Sequence, residues 1–225
     1  MLALRGSGVV QVPREDAASR REATAREVMR AFDQYSIPAL WLAWLLYWTS
    51  AAIGAKATLR EESFASRLSH VIPLALGTAL LATPHVPMAW LAARFLPRTA
   101  GWFWLGFVLV ALGLAVSVAA RTWLGRNWSS MVTLKRDHEL IRSGPYRRVR
   151  HPIYTGLLLA VLGSTIALGQ WRGLIALALI TAALLRKISI EERFLAQQFG
   201  VAYCRYRDEV PALLPLPWRS GSRAR

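Results

Sequence analysis

Two polar segments of the sequence carry side chains that could do chemistry together. The first, Ser143-Gly-Pro-Tyr-Arg-Arg-Val-Arg-His-Pro-Ile-Tyr154, lies between two long apolar stretches, and the second is the pair Glu191-Glu192 beyond the next apolar stretch. Pro152 suits the first turn of a helix, so His151 would stand at a helix N-terminus. Free amides and positive partial charge at such an end attract a carboxylate, while a nearby glutamate binds hydroxyls or an ammonium. The combination predicts a site for a polar ligand.

Each residue taken singly has a simpler interpretation. His151 could only cap its helix, and interfacial tyrosines such as Tyr146 and Tyr154 are commonly membrane anchors. The arginines of the first segment could contact lipid phosphates, and the two glutamates could begin a solvated helix. The aromatic faces could equally hold a purine ring or approach a cation. Only the combination of the two segments favours the ligand site.

The elements that would position these segments are membrane helices. The chain has 225 residues, of which 54% are hydrophobic, and the apolar residues come in blocks. A helix needs roughly 20 apolar residues to cross a bilayer. Candidate spans cover residues 37–55, 71–95, 100–120, 153–170 and 171–185. We therefore predict an all-α polytopic membrane protein with about five transmembrane helices; Pro73, Pro84 and Pro87 leave open whether residues 71–95 cross once or twice.

The formal net charge of +15 does not indicate a nucleic-acid partner, because the basic residues concentrate in the connections between apolar stretches. Residues 121–150 hold eight of them, which places this loop in the cytosol by the positive-inside rule. Such loops face anionic lipid headgroups. The single cysteine, Cys204, excludes an intramolecular disulfide, and no metal site is predicted.

The predicted organisation has four parts: a polar N-terminal arm at 1–34, three spans within 35–120, a catalytic region at 121–215 and a basic tail at 216–225. The catalytic region combines the cytosolic loop, a hairpin of two spans and an amphipathic cytosolic helix from Ile190, interrupted at Gly200 and ended by Pro211. Five spans with a cytosolic C-terminus place the arm outside, although it is rich in arginine. A second crossing within 71–95 would place it inside.

Three motifs together resemble the isoprenylcysteine carboxyl methyltransferase family. They are His138-Glu-Leu-Ile-Arg-Ser-Gly-Pro-Tyr146, Arg150-His-Pro-Ile-Tyr-Thr-Gly156, and Glu191-Glu192 followed by Phe199-Gly200, Tyr203, Tyr206 and Val210-Pro211. The preceding Leu124-Gly-Arg-Asn-Trp-Ser129 resembles bacterial members. The likeness covers about residues 105–215. It implies an integral membrane enzyme that uses S-adenosylmethionine on the cytosolic side, in a bacterium at the plasma membrane.

The resemblance also implies roles for individual residues. Lys187 falls where eukaryotic relatives are expected to have an arginine near the substrate carboxylate, so a cation is kept and a bidentate fork is lost. Lys187, Arg186 and Arg150 form the predicted catalytic set. The predicted cofactor contacts are His138, Glu139, Leu140, Ile141, Tyr146, His151, Pro152, Ile153, Tyr154 and Glu191.

The acceptor implied by the resemblance is a lipophilic or lipid-anchored molecule with a carboxylate. Phospholipid amine methyltransferases, small-thiol methyltransferases and sterol-type reductases that bind NADPH are alternatives, since several of them share the Arg-His-Pro-x-Tyr region or the paired glutamates. A membrane scaffold without chemistry is the non-enzymatic alternative.

Overall fold

A computed structural model describes residues 17–52, 63–84, 86–125 and 140–215 of the chain. The predicted contacts His138 and Glu139 and the predicted tail at 216–225 lie outside the described residues. Within the described ranges every regular element is a helix, apart from one isolated antiparallel bridge between Arg94 and Gln170. The all-α prediction is confirmed.

Seven α-helices and one 3₁₀ turn follow one another in the described residues. They are α1 (Ala17–Ala52), α2 (Phe64–Ala82), α3 (Ala89–Ala92), α4 (Ala100–Leu124), the 3₁₀ turn (Gly144–Arg147), α5 (Pro152–Leu168), α6 (Trp171–Phe199) and α7 (Val201–Glu209). The chain divides into two units, residues 1–36 and residues 37–225. In the first unit, residues 17–36 form the N-terminal part of α1, where the Thr24 hydroxyl donates to the Arg20 carbonyl at 2.9 Å.

Small residues bring α4 and α5 into backbone contact. A Cβ on Gly113 would lie 2.4 Å from the Gly156 carbonyl oxygen, and a Cβ on Gly163 would lie 2.5 Å from the Gly106 carbonyl oxygen. Because the early part of α4 faces the late part of α5, the two helices are antiparallel. Such close approach is the packing that membrane helices use in place of a hydrophobic driving force.

Helix α6 returns antiparallel to α5 and packs beside α2. A two-residue connection joins α5 to α6, and Gly169 ends α5 in the left-handed conformation with φ 60°. At one end of the α2–α6 pair the Arg186 Nε donates to the Ser69 hydroxyl at 3.2 Å. At the other end the Arg172 guanidinium donates to the Thr83 carbonyl.

The part of α1 in the second unit runs parallel to α4 and is attached by tryptophans. The indole nitrogen of Trp41 donates to the Ser164 hydroxyl at 3.0 Å, and that of Trp44 donates to the Ser117 hydroxyl at 3.3 Å. One turn further on, the buried Arg121 guanidinium donates to the Ala51 carbonyl at 2.7 Å. Helix α1 therefore ends at the same level as the C-terminal end of α4.

Three helices of the described chain, α2, α4 and α6, are long and apolar enough to cross a membrane. Helix α5 has 17 residues, yet it must recross, because α4 and α6 run in the same direction and α5 connects them. Many large apolar side chains on these helices are exposed, as lipid contact requires, among them Val71, Leu76, Leu105, Val108, Leu112, Val116 and Leu162. The chain is a polytopic helical membrane protein.

Two predicted boundaries differ from the structure. The predicted span at 71–95 is a single helix from Phe64 to Ala82, which Ser63 caps by accepting a hydrogen bond from the Ser66 amide. Pro73 lies inside α2, and the chain after Pro84 stays at the end of the bundle where Arg94 meets Gln170. The fifth predicted span and the start of the amphipathic helix are one continuous α6. The predicted interruption at Gly200 is confirmed, since its φ is 52°.

Candidate functional site

The two polar segments of the sequence meet at one end of the helix bundle. His151 Nε2 lies 3.2 Å from Glu192 Oε1, and His151 Nδ1 lies 3.7 Å from Glu191 Oε2. The Tyr154 hydroxyl donates a short hydrogen bond to Glu191. The His151 and Tyr154 rings stack, with centroids 5.7 Å apart and planes inclined by 17°. Residues about 40 positions apart in the chain thus form one cluster.

The Gly-Pro turn directs the chain toward this cluster. Gly144 has φ 59°, and a Cβ at this position would lie 2.3 Å from the Trp123 ring. The indole nitrogen of Trp123 donates to the Ser143 hydroxyl at 3.1 Å. Both the backbone conformation and the close ring therefore require glycine here.

Tyr146 is buried directly after that turn. Its hydroxyl points to the Ala120 carbonyl at 3.4 Å, and its own carbonyl accepts a hydrogen bond of 2.6 Å from the Tyr206 hydroxyl. Ile141 packs against the same small core of Ala120, Tyr146 and Ile153. These two predicted cofactor contacts consequently support the wall of the site from behind.

The N-terminus of α5 opens on the site. His151 is the N-cap residue, and its side chain makes no capping hydrogen bond. Pro152 has no N–H, and among the described residues the amides of Ile153 and Tyr154 have no acceptor. Two amide donors and the positive end of the helix dipole therefore face the cluster.

The predicted catalytic cations occupy different positions. Lys187 lies one turn before Glu191, with its Nζ 5.9 Å from the centroid of the Tyr154 ring. Arg186 points to Ser69 on α2 instead. Arg150 donates to Glu192 through Nε at 2.9 Å and Nη2 at 2.6 Å. Of the three, Lys187 is the cation placed beside Tyr154 and Glu191.

The segment after α7 closes over the start of α5. The amides of Arg150 and His151 donate to the carbonyls of Pro211 and Ala212, both at 2.9 Å. The Thr155 hydroxyl donates to the Leu213 carbonyl at 2.7 Å. The sequence showed Val210-Pro211 as a motif but gave no indication of this contact, because any residue supplies a carbonyl.

Burial raises the pKa values of three tyrosines at this end of the bundle. Burial raises the pKa of Tyr206 to about 12, against smaller opposing effects of the Arg150 and Arg142 charges. Burial likewise raises the pKa of Tyr146 and of Tyr203, and the Glu192 charge adds to the effect on Tyr203. These phenols stay protonated near neutral pH, so none of the three is suited to act as a base.

Known proteins are similar to this chain over the region that contains the site. Residues 102–202 match the phospholipid methyltransferase family. Over 115 residues the chain is 35% identical to a protein-S-isoprenylcysteine O-methyltransferase of Schizosaccharomyces pombe, covering 50% of this chain and 48% of that protein. Over 152 residues it is 28% identical to the protein-S-isoprenylcysteine O-methyltransferase B of Arabidopsis thaliana, covering 61% of this chain and 77% of that protein.

A solved structure of the eukaryotic intramembrane Ras methyltransferase isoprenylcysteine carboxyl methyltransferase is similar, with 26% identity and a TM-score of 0.45. The match covers 76% of this chain and 52% of the solved chain. The chain therefore spans about half the length of the fission yeast relative and of the solved enzyme.

Proposed function

We propose that the chain is an integral membrane methyltransferase that uses S-adenosylmethionine, because residues 102–202 match the phospholipid methyltransferase family. The proposed acceptor is a lipophilic or lipid-anchored molecule that presents a carboxylate. Similarity to two protein-S-isoprenylcysteine O-methyltransferases supports the carboxylate over an amine. The observation that carries the proposal is the meeting of the α5 N-terminus with Glu191.

The residues present fit this methyl donor. The free amides of Ile153 and Tyr154 suit the carboxylate of its methionine part. Glu191 Oε1 accepts from Tyr154, and within the described part of the chain Oε2 has a single contact, at 3.7 Å with His151, which leaves capacity for ribose hydroxyls or an ammonium. Aromatic faces suit the adenine and the sulfonium. The other predicted contacts complete the proposed site: His138, Glu139, Leu140 and Pro152 in its lining, and Ile141 and Tyr146 behind its wall.

The chemistry asks the protein mainly for positioning. S-adenosylmethionine supplies a methyl carbon that is electrophilic because it is bonded to a sulfonium. An acceptor carboxylate with a pKa of about 4 is ionised at neutral pH, so no residue has to remove a proton. The protein must hold the two groups in line and exclude water. Lys187 would provide the countercharge to the acceptor carboxylate, as a single ammonium.

Membrane helices around a charged site suggest two routes of entry. We propose that the lipophilic acceptor arrives sideways from the bilayer and that the polar donor arrives from the cytosol. The eight basic residues of the connection at 121–150 favour the cytosolic side, in a bacterial plasma membrane.

Replacement of Glu191, the carboxylate proposed to bind the ligand, tests the site. In Glu191→Gln the side-chain shape is kept and the charge is lost, so we expect the affinity for S-adenosylmethionine to fall at least tenfold, which corresponds to about 1.4 kcal/mol. Isothermal titration of the purified protein in detergent measures this. Glu209→Gln is the matched control, because the Glu209 side chain is 61% exposed and its one ion pair among the described residues is with Arg142. Wild-type affinity in Glu191→Gln would contradict the proposed site.

The product identifies the acceptor class. Membrane extract incubated with methyl-labelled donor should yield a labelled lipophilic product whose label is released by mild alkali, because methyl esters hydrolyse and N-methyl or S-methyl groups do not. A label that survives alkali would instead indicate an amine or a thiol acceptor. Absence of labelling together with tight NADPH binding would indicate a reductase.

A further inference from the structure

We infer that the two adjacent glutamates have separate tasks: Glu191 faces the ligand, whereas Glu192 is a positioning residue that acts through Arg150 and His151. Glu192 thereby fixes the start of α5 under the segment that follows α7. The inference rests on the proposed function for the ligand, but the contacts of Glu192 are independent of it.

Among the described residues, Glu192 contacts the first polar segment through a single carboxylate oxygen. Its Oε1 accepts from Arg150 Nε at 2.9 Å and from Arg150 Nη2 at 2.6 Å, and it lies 3.2 Å from His151 Nε2. The Arg150 and Glu192 side chains are only 10% and 17% exposed. A largely buried carboxylate with this many partners is held in one orientation.

Arg150 extends the same connection to the C-terminal segment. Its Nη1 donates to the Arg207 carbonyl at 3.0 Å and also to the Val210 carbonyl. Its backbone amide donates to the Pro211 carbonyl at 2.9 Å. The guanidinium therefore joins α6, the residue before α5 and the end of α7 at one point. A side chain with this many protein partners is suited to positioning, and the direct part of Arg150 in catalysis stays a prediction.

Glu191 has the opposite surroundings. From the residues that the structure describes, it receives one hydrogen bond, from Tyr154, and its second oxygen has a single contact, at 3.7 Å with His151. Adjacent residues of an α-helix point about 100° apart, so the two carboxylates face different neighbours. Glu191 faces Tyr154 and His151 at the start of α5, and Glu192 faces Arg150.

The C-terminal segment should depend on Glu192 before any ligand binds. Without that carboxylate, Arg150 loses the acceptor of two of its donors, and its hold on the Arg207 and Val210 carbonyls should weaken. The end of α7 contains Arg205 and Arg207, which are both exposed. Trypsin cleaves the chain after arginine, so both are possible cleavage sites. Their cleavage rate therefore reports how tightly the segment is held.

The test combines limited trypsin digestion of the full chain in detergent with titration of S-adenosylmethionine. In Glu192→Ala and Arg150→Ala, cleavage at Arg205 and Arg207 in ligand-free protein should rise several-fold, and donor affinity should fall. The double variant should lose no more affinity than either single variant, because both act through one connection. Glu192→Gln keeps an acceptor oxygen and should show a smaller effect, which keeps the test available if the alanine variants do not fold. Glu209→Gln is the control for loss of a neighbouring carboxylate in the titration of S-adenosylmethionine.

Two outcomes would overturn the inference. One is unchanged cleavage in both Glu192→Ala and Glu192→Gln together with weakened donor binding, which would make Glu192 a direct ligand. The other is an additive loss of affinity in the double variant. If Glu191→Gln binds the donor normally while Glu192→Ala still exposes the segment to trypsin, the proposed function fails and the positioning task of Glu192 stands.

Discussion

The α4–α5 contact should be intolerant of a single methyl group, and Gly156→Ala tests this. A Cβ on Gly156 would lie 2.4 Å from the Gly113 carbonyl oxygen and 2.7 Å from the Ser117 amide nitrogen. Both neighbours are backbone atoms, which cannot rotate away as a side chain can. Restoring ordinary contact distances of about 3.5 Å requires the helices to separate by about 1 Å.

That separation has two consequences of different size. Overpacking of this kind typically costs about 1–3 kcal/mol. Because Gly156 is in the second turn of α5, the shift also moves His151 and Tyr154 relative to Glu191. A displacement of about 1 Å near reacting groups can lower the rate by about 100-fold. We therefore expect activity to fall more than stability does.

Apparent melting temperature in detergent and the methyl transfer rate measure the two effects. For a chain of this size, the expected destabilisation corresponds to a decrease of roughly 2–12 °C. Gly101→Ala, on α4, is the control, since a Cβ there would meet no neighbouring atom of the described residues within 4 Å. If Gly156→Ala melts and turns over like Gly101→Ala, the backbone contact between α4 and α5 is not what positions the site.

Two further predictions concern groups outside the ligand site. In Gln170→Ala the buried Arg172 loses the side-chain oxygen that accepts from its Nε at 2.6 Å, so the free energy of unfolding should decrease by about 1–3 kcal/mol. The affinity for S-adenosylmethionine should stay unchanged, because the ligand site lies at the other end of the bundle. A melting temperature equal to that of the wild type would contradict this prediction. The pKa of Tyr206 is raised to about 12, so its contribution to stability is complete below pH 10 and is lost as the pH rises from 10 through 12. Tyr206→Phe should therefore flatten the dependence of stability on pH in that window. The same pH dependence in the variant and the wild type would refute this prediction.

Local chemistry made several features predictable from sequence. Apolar blocks of about 20 residues specify membrane helices wherever they fold, because an unsatisfied backbone is too costly in lipid. Gly144-Pro145 requires a turn, Pro152 suits the start of a helix, and Gly200 suits an interruption, all through the conformations of single residues. These predictions needed no tertiary information.

The bounds of α2 were predicted less well for a physical reason. Its first turns contain Ser66, Arg67, Ser69 and His70, which lower hydropathy and moved the predicted start to residue 71. In the structure, capping by Ser63 and the Arg186–Ser69 hydrogen bond to α6 support these turns. Helix pairing therefore extends an element beyond its apolar block.

Sequence alone determined that this chain spans a membrane and that a His-Pro turn and an acidic pair are its chemically distinctive segments, because composition and short-range geometry carry that information. Only the tertiary structure decided that Glu192 takes Arg150 while Glu191 takes Tyr154, that Lys187 approaches Tyr154 and Arg186 does not, and that the Pro211 and Ala212 carbonyls hold the start of α5. Adjacent residues of a helix point in different directions, and the other helices decide which partners each of them meets. Backbone carbonyls are the same in every residue. Neither property can be read from the order of side chains.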